Sequence, residues 1–192
     1  MRFLKTNLDG AWLIESEPAK DERGFFTRLF CIKEFGAQDL ETRFVQHSLS
    51  FSAMRGTLRG MHFQEPPHAE VKVVRCIKGA ILDVIIDIRA ESPTFLQWQG
   101  FELTGDNLLQ LYVPAGFAHG FQTLSDNAEV HYLISTFYEP STARGLRYND
   151  PAFAIDWPLP ISVISAKDEA WPDFCPTNLV QSKNNDFDKN NN

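Results

Sequence analysis

Turn residues interrupt the middle of this chain so regularly that no long helix fits between them. From Phe44 to Thr136 the runs FVQHSLSFS, GTLRGMHF, EVKVVRCI, AILDVIIDIR, FLQWQGFEL, NLLQLYVP, HGFQTL and EVHYLIST are separated by turn signals. These include Pro66-Pro67, Lys78-Gly79, Thr104-Gly105-Asp106-Asn107, Pro114-Ala115-Gly116 and Ser125-Asp126-Asn127. Breaks at roughly 8–12 residues are the pattern of an all-β sandwich or barrel. In AILDVIIDIR, alternation puts Leu82, Val84, Ile86 and Ile88 on one face and Ile81, Asp83, Ile85 and Asp87 on the other. Two carboxylates on one face of an apolar strand imply a partly wet interior. The predicted fold is an all-β double-stranded β-helix, a jelly-roll barrel with a few short peripheral helices, of a size that encloses one small ligand. CIKEFGAQDL (31–40) and the stretch near Lys167–Ala170 are the helix candidates. Residues 1–20 read as an early edge pair, and DERGFF (21–26) as a turn feeding an aromatic strand.

A chain of 192 residues is most economically one domain, which we place at 1–176. The remainder, 177–192, is polar and low in complexity and is expected to be disordered. A formal charge of −7 argues against a nucleic-acid partner, which would call for a basic surface, although a local basic pocket for one small anion is compatible with it. Three cysteines without metal-ligand spacing do not form a disulfide framework and point to a reducing cytosol. The beginning, MRFLKTNLDG, lacks the apolar core of a signal peptide, and Asp83 and Asp87 interrupt the most apolar run. The expectation is a cytoplasmic protein that makes no membrane contact.

Phosphate-cradling glycine motifs and the hydrolase nucleophile elbow are absent. What stands out is GTLRGMHFQEPPHAEVKVVRCIKG (56–79), which places Arg59, His62 and Lys72 among apolar strand positions. Gly56 precedes His62 by the spacing of the first cupin motif, and PAGFAH (114–119) resembles the second. Metal-binding cupins carry another histidine where this chain has Gln64. The pair His62 and His119 alone makes a poor transition-metal site, so no metal is expected.

DERGFF (21–26), GTLRGMHFQ (56–64), VKVVRCIKGAILDVIIDIR (71–89), SPTFLQW (92–98), VPAGFAHGF (113–121), YNDPAFAIDWP (148–158) and SAKD (165–168) together resemble the dTDP-4-dehydrorhamnose 3,5-epimerase family. The resemblance implies a metal-independent cupin barrel without cofactor. It also implies a homodimer acting on a nucleotide-linked 4-keto-6-deoxy sugar. In such a reaction the 4-keto group acidifies the C3 and C5 hydrogens; a base removes one, an enolate forms, and a proton returns to the opposite face.

By that resemblance His62 is the base, and an imidazole suits the role because it titrates near neutrality. Asp168 orients it, Lys72 stabilises the enolate, and Tyr132 supplies the second proton. Arg59 and Arg23 match positions that hold diphosphate or sugar, a role suited to a forked guanidinium. Gln46, His119, Phe26 and Lys167 complete the expected substrate contacts, with Phe26 as an aromatic wall. Either Asp83 or Asp87 fits as the partner of His119. The bland readings are a backbone-satisfied histidine, a surface aspartate, an exposed strand lysine and a core tyrosine.

This chain departs from the family pattern at Arg28 and Ala143, where glutamates are usual, at Ser48 for asparagine, and at Leu133 for lysine. The four residues assigned to proton chemistry are kept, so the departures fall on binding. Alternative functions are a mono-epimerase or ketoisomerase on a related nucleotide sugar, a sugar-nucleotide-binding cupin without activity, and a metal-dependent cupin oxygenase.

Overall fold

The computed structural model describes residues 1–175; the expected tail and the domain boundary at 176 lie outside the described residues. In chain order the strands are β1 (Arg2–Lys5), β2 (Trp12–Glu15), β3 (Ala19–Asp21), β4 (Gly24–Phe26), β5 (Gln46–Ser52), β6 (Leu58–Gln64) and β7 (Lys72–Lys78). They continue with β8 (Ala80–Asp87), β9 (Trp98–Thr104), β10 (Leu109–Val113), β11 (Phe117–Thr123), β12 (Ala128–Ile134) and β13 (Ala143–Gly145). The helices are α1 (Ile32–Gly36) and α2 (Ala166–Glu169). Each strand foreseen between Phe44 and Thr136 is present. The three-residue β13 was not foreseen, because ARG carries neither alternation nor β-branched residues.

Two antiparallel sheets face each other, in the orders β1-β2-β10-β7-β12-β5 and β13-β6-β11-β8-β9. This is the jelly-roll barrel expected from the turn spacing. A separate hairpin, β3-β4, stands apart from both sheets. β7 turns directly into β8 through Gly79, whose φ of +77° lies in the left-handed region that glycine reaches without a Cβ penalty.

The inward residues of each strand change character along its length, and that change makes the cavity. On β7 the inward series is Lys72, Val74, Cys76; on β12 it is Ile134, Tyr132, Val130, Ala128. Val74, Cys76, Val130 and Ala128 join Ile81, Ile85, Leu111 and Phe121 in the apolar core between the sheets. Lys72, Tyr132 and Ile134 instead line an open cavity at the other end. One end of the barrel is thus filled with side chains and the other is left for a ligand.

The outer faces are covered as well. Leu146, Phe153 and Ile155 from the irregular C-terminal stretch pack on Val84, Ile86 and Ile88, which confirms the alternation read in β8. On the opposite sheet, Phe35 of α1 is fully buried beside Ile14, Val73, Tyr112 and Leu133. A five-residue helix without a side-chain cap is marginal in isolation. Burial of Phe35, contributing about 1.5–3 kcal/mol, and its edge-on contacts with Phe3 and Phe30 hold it in place. Among the described residues no helix is long and apolar enough to cross a membrane.

Candidate active site

The cavity has a volume of about 670 Å³, within the ordinary range for a small-molecule site. Its lining includes Gln46, Arg59, His62, Lys72, His119, Tyr132, Lys167 and Asp168, eight of the ten residues singled out in the sequence. They arrive from both walls. Ser48 pairs with Tyr132 across β5 and β12, and Ile134 pairs with both Gln46 and Lys72, so these residues share the six-stranded wall. His62 pairs with His119 across β6 and β11, on the five-stranded wall.

His62 and Asp168 meet although they are distant in sequence. Ser165 caps α2 by accepting from the Asp168 backbone N–H at 3.0 Å, and this short turn delivers the Asp168 side chain to β6. Asp168 Oδ1 lies 2.7 Å from His62 Nε2, and Oδ2 accepts from the Gly60 backbone N–H at 3.2 Å. Burial on its own would raise the Asp168 pKa, but the bonds from His62 and Gly60 outweigh it and hold the carboxyl below its ordinary value. A charged carboxylate can only accept, so Nε2 donates. The neutral ring then carries its lone pair on Nδ1, which becomes the basic atom. The imidazole is 43% exposed, whereas Asp168 is buried, so the ring meets whatever fills the cavity.

The second imidazole is held differently. His119 Nε2 lies 3.0 and 2.9 Å from the two oxygens of Asp83, and both residues are buried. This resolves the choice of partner. Asp87 is taken at the far end of β8 by Arg89, Ser92 and Thr94. The His119 ring stands edge-on to Tyr132, with centroids 6.1 Å apart. Burial first, and the nearby negative charge of Asp83 second, push the Tyr132 phenol well above its ordinary pKa, so it is a protonated donor at neutral pH.

Four cationic side chains, Arg59, Lys72, Arg144 and Lys167, line the same space. Lys72 is inward and pairs with Glu70 at 2.9 Å. The Arg59 guanidinium is aimed by Ser52 Oγ and the Phe51 carbonyl, at 3.1 and 2.9 Å. Lys167 Nζ sits 5.3 Å over the Trp171 ring. Gln46 Oε1 accepts from the Tyr138 backbone N–H at 2.9 Å and so fixes the loop that brings Tyr138 to the cavity. Among the described residues, no group of three or more His, Cys, Asp or Glu side chains has the arrangement of a metal centre.

Arg23 and Phe26 are not brought to this cavity. They lie on the β3–β4 hairpin, where Arg23 pairs with its neighbour Asp21 and Phe26 is 78% exposed. Of the departures, Ser48 and Ala143 line the cavity, Arg28 pairs with Glu34 outside it, and Leu133 faces the outer cluster under α1. Sequence reasoning missed Tyr138, Arg144 and Trp171 as lining residues. The available signal was weak: an aromatic just before Pro140, an arginine in an unrecognised strand, and a tryptophan closing α2. Trp171 packs directly on Gly145, where any side chain would collide with the indole.

The sequence model of the dTDP-4-dehydrorhamnose 3,5-epimerase family matches residues 5–175. A dTDP-4-dehydrorhamnose 3,5-epimerase of Methanothermobacter thermautotrophicus is 45% identical over 174 residues, covering 88% of this chain and 92% of the relative. The crystal structure of the Bacillus anthracis dTDP-4-dehydrorhamnose 3,5-epimerase with TDP and PPi bound has a TM-score of 0.88 and 42% identity, covering 90% of this chain and 99% of that one. That of the Legionella pneumophila dTDP-6-deoxy-D-glucose-3,5-epimerase, in complex with dTDP-4-keto-L-rhamnose, has a TM-score of 0.86 at 38% identity and covers 95% of each chain. With its fold and nearly its whole described length matched by these proteins, the chain belongs to the dTDP-4-dehydrorhamnose 3,5-epimerase family.

Proposed function

We propose that the protein epimerises C3 and C5 of a dTDP-linked 4-keto-6-deoxyhexose, converting dTDP-4-dehydro-6-deoxy-D-glucose to dTDP-4-dehydro-L-rhamnose. The observation that carries this reading is the opposed placement of the proton-handling groups. His62, backed by Asp168 of α2, projects from the five-stranded wall, and Tyr132 with Lys72 projects from the six-stranded wall of one cavity. His62 Nδ1 takes the proton from the carbon beside the ketone, and the C–H electrons pass to the C4 oxygen as an enolate. The Lys72 ammonium stabilises that oxyanion. Tyr132 gives its proton to the opposite face of the carbon and recovers one from solvent, while His62 releases the proton it took to solvent. Repeating the cycle at the second carbon completes the reaction, and no cofactor enters it. Arg59 and Lys167 bind diphosphate or sugar, with Gln46 and His119 placing the ring. A cytoplasmic setting, expected from the cysteine usage, belongs to the same proposal.

The test is proton NMR of the protein with dTDP-4-keto-6-deoxy-D-glucose in heavy water. Deuterium entering at both C3 and C5 is the expected result. Exchange at one carbon would make the protein a mono-epimerase, and Ser48 and Ala143, both in the cavity lining, would be the first residues to revert. Silence with this substrate would overturn the reading.

A homodimer gives Arg23 and Phe26 a place in the site. The β3–β4 hairpin carries Phe25 at 55% exposure beside Phe26, an aromatic pair that one copy of the chain leaves uncovered. Docked on a second copy, it would bring a guanidinium and an aromatic wall to the partner's cavity. Sedimentation equilibrium is expected to give twice the chain mass, and Phe26→Asp to raise KM for the sugar nucleotide at least about tenfold. A monomeric, fully active protein would remove both residues from the site.

A further inference from the structure

Lys72 has a buried counter-ion. Its Nζ lies 2.9 Å from Glu70 Oε1, with the two side chains only 10% and 11% exposed. The other carboxylate oxygen of Glu70 accepts from Gln64 Nε2 at 2.8 Å. That same nitrogen reaches the carbonyls of His68 at 3.0 Å and Phe137 at 3.3 Å. On its other side, Gln64 Oε1 accepts from the Glu139 backbone N–H at 2.7 Å. Gln64, Glu70 and Lys72 all line the cavity.

The order of these bonds has a direction. The Glu139 N–H can only donate, so it fixes which end of the Gln64 amide is oxygen. The amide nitrogen must therefore face Glu70, and this holds one carboxylate oxygen and leaves the other for Lys72. A lysine on a four-carbon stem has much rotamer freedom, and a buried ammonium without a partner is costly. Glu70 removes both problems. It occupies one of the three ammonium N–H groups and leaves the others for the cavity.

We propose that Glu70 is the positioning residue of Lys72: with Gln64 it forms a clamp that keeps the ammonium aimed, so that the enolate meets a cation already in place. The proposal rests on the epimerase reading and assigns the Gln64 position, which in metal cupins carries a histidine, a different task. A neighbouring carboxylate does weaken the field of the ammonium at the oxyanion. The fixed placement compensates, because a pre-oriented charge stabilises the transition state without reorganising.

The test uses Glu70→Gln, Lys72→Gln and the double variant, followed by deuterium exchange at C3 and C5. Glu70→Gln is expected to lower kcat about 10- to 100-fold while KM stays within about threefold. In the Lys72→Gln background the same change is expected to alter the rate by less than about twofold, because the clamp has nothing left to hold. An unchanged kcat, or an equal loss in both backgrounds, would overturn the proposal. Should Glu70→Gln not fold, Glu70→Asp withdraws the carboxylate by one methylene and is expected to give the same kcat-specific loss.

A second measurement needs no substrate. Trinitrobenzenesulfonate labelling of Lys72, read by peptide mass spectrometry at one fixed pH, is expected to be at least about threefold faster in Glu70→Gln, since an amine released from its ion pair is free to swing toward the reagent. Unchanged labelling would overturn the clamp. Faster labelling in a protein whose wild type exchanges no sugar proton would overturn the epimerase reading and leave the clamp standing.

Discussion

Replacing His62 by alanine is expected to reduce deuterium incorporation at both C3 and C5 by about 10³-fold, with the sugar nucleotide still bound. Removal of the imidazole takes away the base, while Arg59, Lys72 and Lys167 remain to hold the ligand. Asp168→Asn is expected to lose about 10²-fold or more by a different route. An amide can offer N–H to Nε2, which would move the ring proton to Nδ1 and remove the lone pair that does the chemistry. The two variants also differ from each other in their pH dependence. The Asp168 carboxyl lies below its ordinary pKa in the folded protein, so its contribution to stability is complete above the unfolded value of about 4 and is lost as pH falls through the lower, folded one. Asp168→Asn should therefore be less stable than wild type at neutral pH, and the gap should close in acid. Chemical denaturation at both pH values measures this, and NMR in heavy water measures the exchange. A His62→Ala protein that exchanges both protons at the wild-type rate would end the assignment of the base.

The barrel was legible because its information is local. Turn chemistry at Lys78-Gly79 or Thr104-Gly105-Asp106-Asn107 and alternation in AILDVIIDIR depend on neighbouring residues, and the strands appear where those signals put them. β13 was not legible, because Ala143–Gly145 becomes a strand only by adding to the edge of β6, a contact that local sequence does not encode. The site divides in the same way. His62 and Lys72 sit on strongly patterned strands, and alternation beside Val74 and Cys76 slightly favours the inward face for Lys72, although the roles of both came from the family resemblance. Asp168 and Tyr132 needed the family resemblance, since nothing near an Asp in SAKD announces a histidine 106 positions away. The choice between Asp83 and Asp87 also lay beyond alternation. Both face the same side of β8 and flank Ile85, the residue opposite His119, so register leaves them equivalent; Arg89, Ser92 and Thr94 take Asp87, and Asp83 is left for the ring.

Tyr132→Phe is expected to separate two events that His62→Ala removes together. Inversion at the carbon should fall about 10²-fold or more, while exchange with retained configuration continues within about tenfold of the wild-type rate. The reason lies in the architecture. His62 is on β6 and Tyr132 on β12, in opposite sheets, so each reaches one face of a sugar held between them. Without the phenol, His62 still takes a proton, exchanges it with heavy water and returns deuterium to the face it came from. The phenyl ring keeps the edge-on contact with His119, so the wall itself should stay in place. Loss of the hydroxyl bond to Ser50 should lower stability by only about 1 kcal/mol, too little to unfold the barrel. Because burial and Asp83 push the phenol up, the wild-type rate should show no alkaline fall attributable to Tyr132 below the ordinary tyrosine pKa of about 10. Configuration and deuterium content at C3 and C5 can be read in one NMR experiment. Equal loss of exchange and inversion would mean that Tyr132 supports proton abstraction rather than delivery. Undiminished inversion would mean that the opposite face receives its proton from another group.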